Sequence, residues 1–255
     1  MATSISNAPP GRGRFDWPWR GGPSFVTPDG SRVSLDGATL RGRALDTSRP
    51  WSCGFGALVH GVRRSFTVAE VGAFDWHSTY TTIPDEIRRQ PYRGGELLLG
   101  VRSDDYRAAW RGQWFELHTR SPGPPPVDDG LTRIFDAFRL TDTPLGMLAA
   151  PRSVRQLRVE PVQVAKEIPG LGYLTIEDPA SSRIGVPDFR GHATRHGELW
   201  REPLGSGAQG RSRPDALVLA TPTAITRLVA GPADSPDLDE VLAALTGLDV
   251  RWEPA

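Results

Sequence analysis

Apolar and polar positions alternate over short stretches through most of the chain. Phe66 and Val68 alternate with Thr67 and Ala69, the period-two pattern of a half-buried antiparallel strand. Strand-like runs of this kind are predicted at 57–62, 65–71, 96–101, 114–119, 156–164, 173–176 and 216–221. Ahead of them, Phe25 to Leu35 reads as a hairpin around Pro28-Asp29-Gly30, where proline presets φ and glycine supplies positive φ. A helical period appears in two places. Leu131, Ile134, Phe135 and Phe138 share a face over 130–139, behind acidic Asp128 and Asp129. Leu238, Val241, Leu242 and Leu245 do the same over 235–247, between a Ser235-Pro236 start and a Gly247 stop. A shorter helical turn is expected over 103–110.

Several strings recur in one order. Val68-Ala69-Glu70-Val71 resembles Val164 to Ile168, and Gly95-Glu96-Leu97 returns as Gly197-Glu198-Leu199. Phe115 to Thr119 lines up with Leu217 to Thr221, and Leu131 to Phe135 with Ile225 to Val229. Two readings stand: a duplicated unit of strands and a helix, or chance likeness among short β-strings. Together these patterns predict an α+β fold, rich in antiparallel sheet, with two similar sheet-plus-helix units after an N-terminal hairpin arm. The corresponding division is a tail over 1–14, an arm and hairpin over 15–48, a first unit over 49–143 and a second over 144–255. The proline-rich 121–126 reads as a stiff connector.

Composition changes this picture little. Of 255 residues, 28 are Gly and 24 Pro, which favours short strands and tight turns over long helices. Lys plus Arg (30) equals Asp plus Glu (30), so no net field draws the chain to nucleic acid or to an anionic membrane. No apolar run approaches the roughly 18 residues of a membrane span, and no apolar leader is seen. A single cysteine, Cys53, rules out an intramolecular disulfide and any multi-cysteine metal site, and fits a cytoplasmic address.

Candidate chemistry is scattered. In Phe74-Asp75-Trp76-His77-Ser78-Thr79-Tyr80, an extended chain would place Asp75 beside His77, where a carboxylate orients an imidazole. Trp76 and Tyr80 in the same stretch suit a binding surface. His192 and His196 are four apart, a chelating pair if helical, but Gly191 and Gly197 bracket them as a loop, so no metal is predicted. Gly205 to Gly210 spells GxGxxG without the helix a dinucleotide site needs, and no cofactor is expected. Lys166 is the sole lysine, read as lying on a strand edge, and Cys53 reads as a buried structural thiol. The Arg14 to Arg20 stretch sets Trp17 and Trp19 around a proline next to Arg20, residue types that dominate interface hot spots. The expectation is an accessory protein that binds a protein partner through its surface, with Trp17, Trp19, Arg20, Trp76 and Tyr80 as binding residues. The alternative is a small-molecule enzyme in a cleft between the units, with Asp75, His77, Glu96 and Glu198 as acid–base groups and the two glutamates facing one another.

Overall fold

The computed structural model describes residues 23–37, 39–40, 43–44, 50–81, 83–127, 129–153, 157–160, 162–182, 184–202, 216–230 and 238–255. The predicted hairpin is present as β1 (Ser24–Val26) and β2 (Arg32–Asp36). Its turn is closed by the Thr27 N–H donating to the Ser31 carbonyl at 2.9 Å, with Gly30 at φ 94°. A two-stranded ladder, β3 (Thr39–Leu40) with β4 (Arg43–Ala44), follows.

The main chain of events begins at β5 (Trp51–Val59) and β6 (Val62–Glu70). They are joined by His60-Gly61 with φ of 49° and 80°, the left-handed pair that a two-residue hairpin turn requires. Helix α1 (Ala73–Tyr80) comes next, then the meander β7 (Glu86–Tyr92), β8 (Gly95–Val101), β9 (Asp105–Arg111) and β10 (Phe115–Pro122). Helix α2 (Gly130–Asp136) leads into the hairpin β11 (Phe138–Thr143) and β12 (Gly146–Pro151). After β13 (Leu157–Val159), the second half runs β14 (Gln163–Ile168), β15 (Gly172–Glu177), β16 (His192–Ala193), β17 (Glu198–Glu202), β18 (Ala216–Ala220) and β19 (Ile225–Ala230). Helix α3 (Leu238–Thr246) and β20 (Asp249–Glu253) close it.

One long antiparallel sheet spans both halves. From the central pair β5–β14 it extends one way through β6, β10, β9, β8 and β7, and the other way through β15, β19, β18, β17 and β16. The two directions therefore use their strands in the same chain order. A smaller sheet, β11-β12-β1-β2-β20, covers the inner face of the long one, with β1 and β12 parallel. The hairpin that the sequence reads as an arm is thus the middle of the second sheet. Phe25, Val33 and Leu35 from it, Ile134 and Phe135 from α2, and Val241 and Leu245 from α3 share one core with Cys53, Phe66, Leu117, Val164 and Leu174 of the long sheet. The fold is α+β and dominated by antiparallel sheet.

Three expectations are corrected. Residues 105–111 are strand β9, because tertiary burial on both faces of Asp105-Tyr-Arg-Ala-Ala-Trp-Arg overrides the helix propensity of its alanines and arginines. Helix α2 ends at Asp136, and Phe138 already belongs to a strand. The likeness of 131–135 to 225–229 matches a helix with a strand, and pairing order equates β14 with β5 rather than with β6. The Gly95/Gly197 echo does fall at matching places. A Cβ on Gly95 would lie 2.2 Å from the Arg111 carbonyl, and one on Gly197 1.9 Å from the Ala220 carbonyl, each at the end of the neighbouring strand.

Candidate functional site

Side chains on the long sheet's outer face are fixed by register. One row reads Leu98, Ala109, His118, Thr67, Gly54, Gln163, Glu177 and Ile225 across β8, β9, β10, β6, β5, β14, β15 and β19. The flanks of this face are covered. Helix α1 seats Phe74 on Leu98 and Ala109 on one side, and Ile184 sits on Trp200, Val218 and Ile225 on the other. Between them lies a half-open groove of about 500 Å3 whose walls include Arg63, Ser65, Thr67, Glu160, Gln163 and Ser181, with Arg63 and Glu160 paired at 2.9 Å. Its floor is made of small residues. Gly54 lies in it with nothing within 4 Å of where a Cβ would stand.

Beside the groove, under α1, is a buried charged cluster. Gly72, at φ 97°, turns the chain out of β6 into α1 and offers no side-chain cap. The cap comes from the sheet: the fully buried Glu116 carboxylate accepts from Gly72 N–H at 2.9 Å and Phe74 N–H at 2.8 Å. Arg111 Nε donates to the same carboxylate at 2.5 Å, and His118 Nε2 lies 3.1 Å from its other oxygen. Burial alone would raise the Glu116 pKa, but His118 and the two backbone N–H groups hold it at about 2. Arg111 also reaches Asp75 at 2.9 Å, and Arg89 reaches Asp75 at 2.7 Å. Both arginines stand 3.7 Å from Glu96.

This arrangement brings Asp75 and Glu96 together around Arg89 and Arg111 and disperses the other predicted site residues. Asp75 and His77 lie on a helix, not an extended run, so two positions apart turns them away from one another at about 100° per residue. Asp75 holds arginines, while His77 Nδ1 contacts Thr81 Oγ1 at 3.3 Å. Burial first, then Arg107 and His118, lower the His77 pKa to about 4. Trp76 is 45% exposed on α1, against the His77 ring, and Tyr80 closes the helix. Eight strands separate β8 with Glu96 from β17 with Glu198, and Glu198 accepts from Gly191 N–H at 3.1 Å. The two glutamates are therefore not a facing pair. His192 is exposed on β16 and His196 lies in the turn beyond it, 3.8 Å from Asp249. A hairpin, not a helix, spaces them, and among the described residues no group of three metal-ligating side chains occurs. Lys166 sits on interior strand β14 rather than an edge, buried with Nζ 4.3 Å from the Trp51 ring centroid. Cys53 is buried, and burial with Asp29 nearby pushes its thiol pKa well up. Trp17, Trp19, Arg20 and Gly205 to Gly210 lie outside the described residues.

Sequence reading passed over Glu116 and His118. The signal was present: an acid and a histidine two apart in a run already read as a strand share a face. Asp75 and His77 have the same spacing, but the fold makes them helical. A second cavity, about 610 Å3, lies between β7 and the proline-rich 124–127 over Leu97, Leu99 and Leu131. Its arginines, Arg88 and Arg89, are engaged with Glu86 and Asp75. No helix among the described residues is long and apolar enough to cross a membrane. Compared with protein-family models, with curated proteins and with solved structures, the chain matches none.

Proposed function

We propose that the protein is an accessory protein that binds an extended polypeptide segment of a partner in the outer-face groove. The observation that carries this reading is the strip of sheet between α1 and residues 184–191, floored by Gly54, edged by Ser65, Thr67 and Gln163, and closed at its Gly56 end by the Glu160 carboxylate paired with Arg63. Small-molecule sites usually enclose 70–90% of their ligand, at least roughly, whereas a half-open groove suits a chain that keeps one side in water. The flanking elements carry exposed large apolar side chains, Trp76 on one and Val186 and Phe189 on the other. Aromatic side chains such as Trp76 and Phe189 are common anchors in interfaces. We take the groove as the junction of two duplicated units, 49–143 and 144–255, on the shared strand order of the two halves. A cytosolic address accords with the lone, buried Cys53.

Gly54→Trp tests the proposal, because a Cβ there meets nothing within 4 Å and the side chain it carries projects into the groove. A random peptide library is selected on the native protein and the enriched peptides are measured by calorimetry. The reading predicts one-to-one binding that Gly54→Trp abolishes while the melting temperature holds. Equal binding by the variant, or no enriched peptide, overturns it.

A further inference from the structure

Arg107 lies on the outer face of β9, between Gly100 of β8 and Arg120 of β10, and diagonal to His118 across the β9–β10 pair. Its Nη1 is buried without a hydrogen-bond partner, and so is His118 Nδ1, on a residue only 8% exposed. The Phe74 ring stacks over the His118 imidazole at 6.4 Å. Every other cation of the cluster has a carboxylate: Arg111 has Glu116 and Asp75, Arg89 has Asp75, and Arg120 has Asp105. Arg107 has none within ion-pair distance among the described residues, since Asp105 is occupied by Arg120. A guanidinium does not shed its proton, so the buried Nη1 edge of this half-buried side chain stays unsatisfied until an anion joins it.

The other half of the sheet shows that the fold does not demand these charges. Arg111 faces Glu116 across the β9–β10 turn as Ala220 faces Ile225 across the β18–β19 turn. Stepping back along each strand equates Arg107 with Ala216, and the flank contacts equate Ala109 with Val218 and Leu98 with Trp200. The second half thus fills with Ala216, Ala220 and Ile225 the places where the first half sets the half-buried Arg107 and Arg111 and the fully buried Glu116.

We propose that Arg107 and His118 form an anion-binding subsite on the α1 side of the groove, which takes a carboxylate or phosphate group of the occupant. This rests on the groove reading for the occupant but not for the subsite. His118 stands opposite Thr67, which lines the groove, so an anionic side chain from a segment in the groove has one strand spacing to cross. Arg120 on β10, though paired with Asp105, adds positive potential beside Arg107, while Glu116 supplies the opposing charge on the far side of the His118 ring.

The test is a titration with inorganic phosphate, and separately with acetate, at constant ionic strength made up with chloride. The imidazole C–H signals of the five histidines are followed by NMR, assigned through His→Gln variants. Saturable shifts of His118 and His77 are expected with at least one of the two anions and not with chloride. Arg107→Gln, whose counterpart Ala216 shows that the position tolerates a neutral residue, should weaken half-saturation at least ten-fold with an unchanged melting temperature. Non-saturable shifts, equal shifts in chloride, or equal binding by Arg107→Gln overturn the subsite. The anion that saturates lower identifies the group. Gly54→Trp should retain free-anion binding. Anion binding without any groove peptide would therefore fail the groove reading alone, and groove peptides indifferent to Arg107→Gln would fail the subsite alone.

Discussion

Glu116 ties three elements at one carboxylate: the α1 N-terminus, Arg111 on β9 and His118 on its own strand. Glu116→Gln keeps the shape and removes the charge, so a loss of about 3 kcal/mol is expected in denaturant unfolding. The acid limb of stability should be biphasic. His77 protonates at 6.5 in the unfolded chain but near 4 when folded, so the unfolded state binds more protons between these values and stability falls with pH there. Glu116 protonates at 4.5 unfolded and near 2 folded, so its contribution is complete above 4.5 and is lost toward 2. Melting temperatures from pH 7 to 3 should lose the upper slope in His77→Gln and the lower slope in Glu116→Gln. Cys53, buried with a raised pKa, should react with a thiol reagent only after unfolding.

At the scale of elements, the turns and the close approaches decide which strands can meet. Gly95 and Gly197 each begin or precede a strand whose neighbour's last carbonyl sits where a Cβ would be. Gly95→Ala and Gly197→Ala should each destabilise by about 1–3 kcal/mol, because backbone must move to admit the methyl group. Gly54→Ala, with open space at the same atom, should stay within about 0.5 kcal/mol and serves as the control. The strands at 96–101, 173–176 and 216–221 were legible because alternation or apolar runs and flanking turns mark them locally. Strand β7, Glu86-Ile-Arg-Arg-Gln-Pro-Tyr92, was not, since it is an exposed edge with almost no buried face to leave a pattern.

Across the whole molecule, one sheet and one core run through both halves. Calorimetric unfolding should therefore be a single transition whose van't Hoff and calorimetric enthalpies agree. Residues 49–143 and 144–255 made separately should not fold, since that cut parts β11 from β12 and β5 from β14. Two resolved transitions would contradict this.

The sequence by itself determined the class of the fold, the N-terminal hairpin, several interior strands, among them those at 65–71, 96–101, 114–119, 173–176 and 216–221, and the positions of two helices. These are consequences of local period, turn residues and caps, which act over a few neighbours. Only the tertiary structure decided that the hairpin lies inside a second sheet, that Asp75 and His77 part on a helix, and that Glu116 and His118 meet α1 instead. It also decided where a strip of sheet around Gly54 stays bare and where the Arg107 Nη1 is buried without a partner. Each of these depends on which distant strands pair and in what register, and a register is set by the packing of the whole core rather than by any one segment.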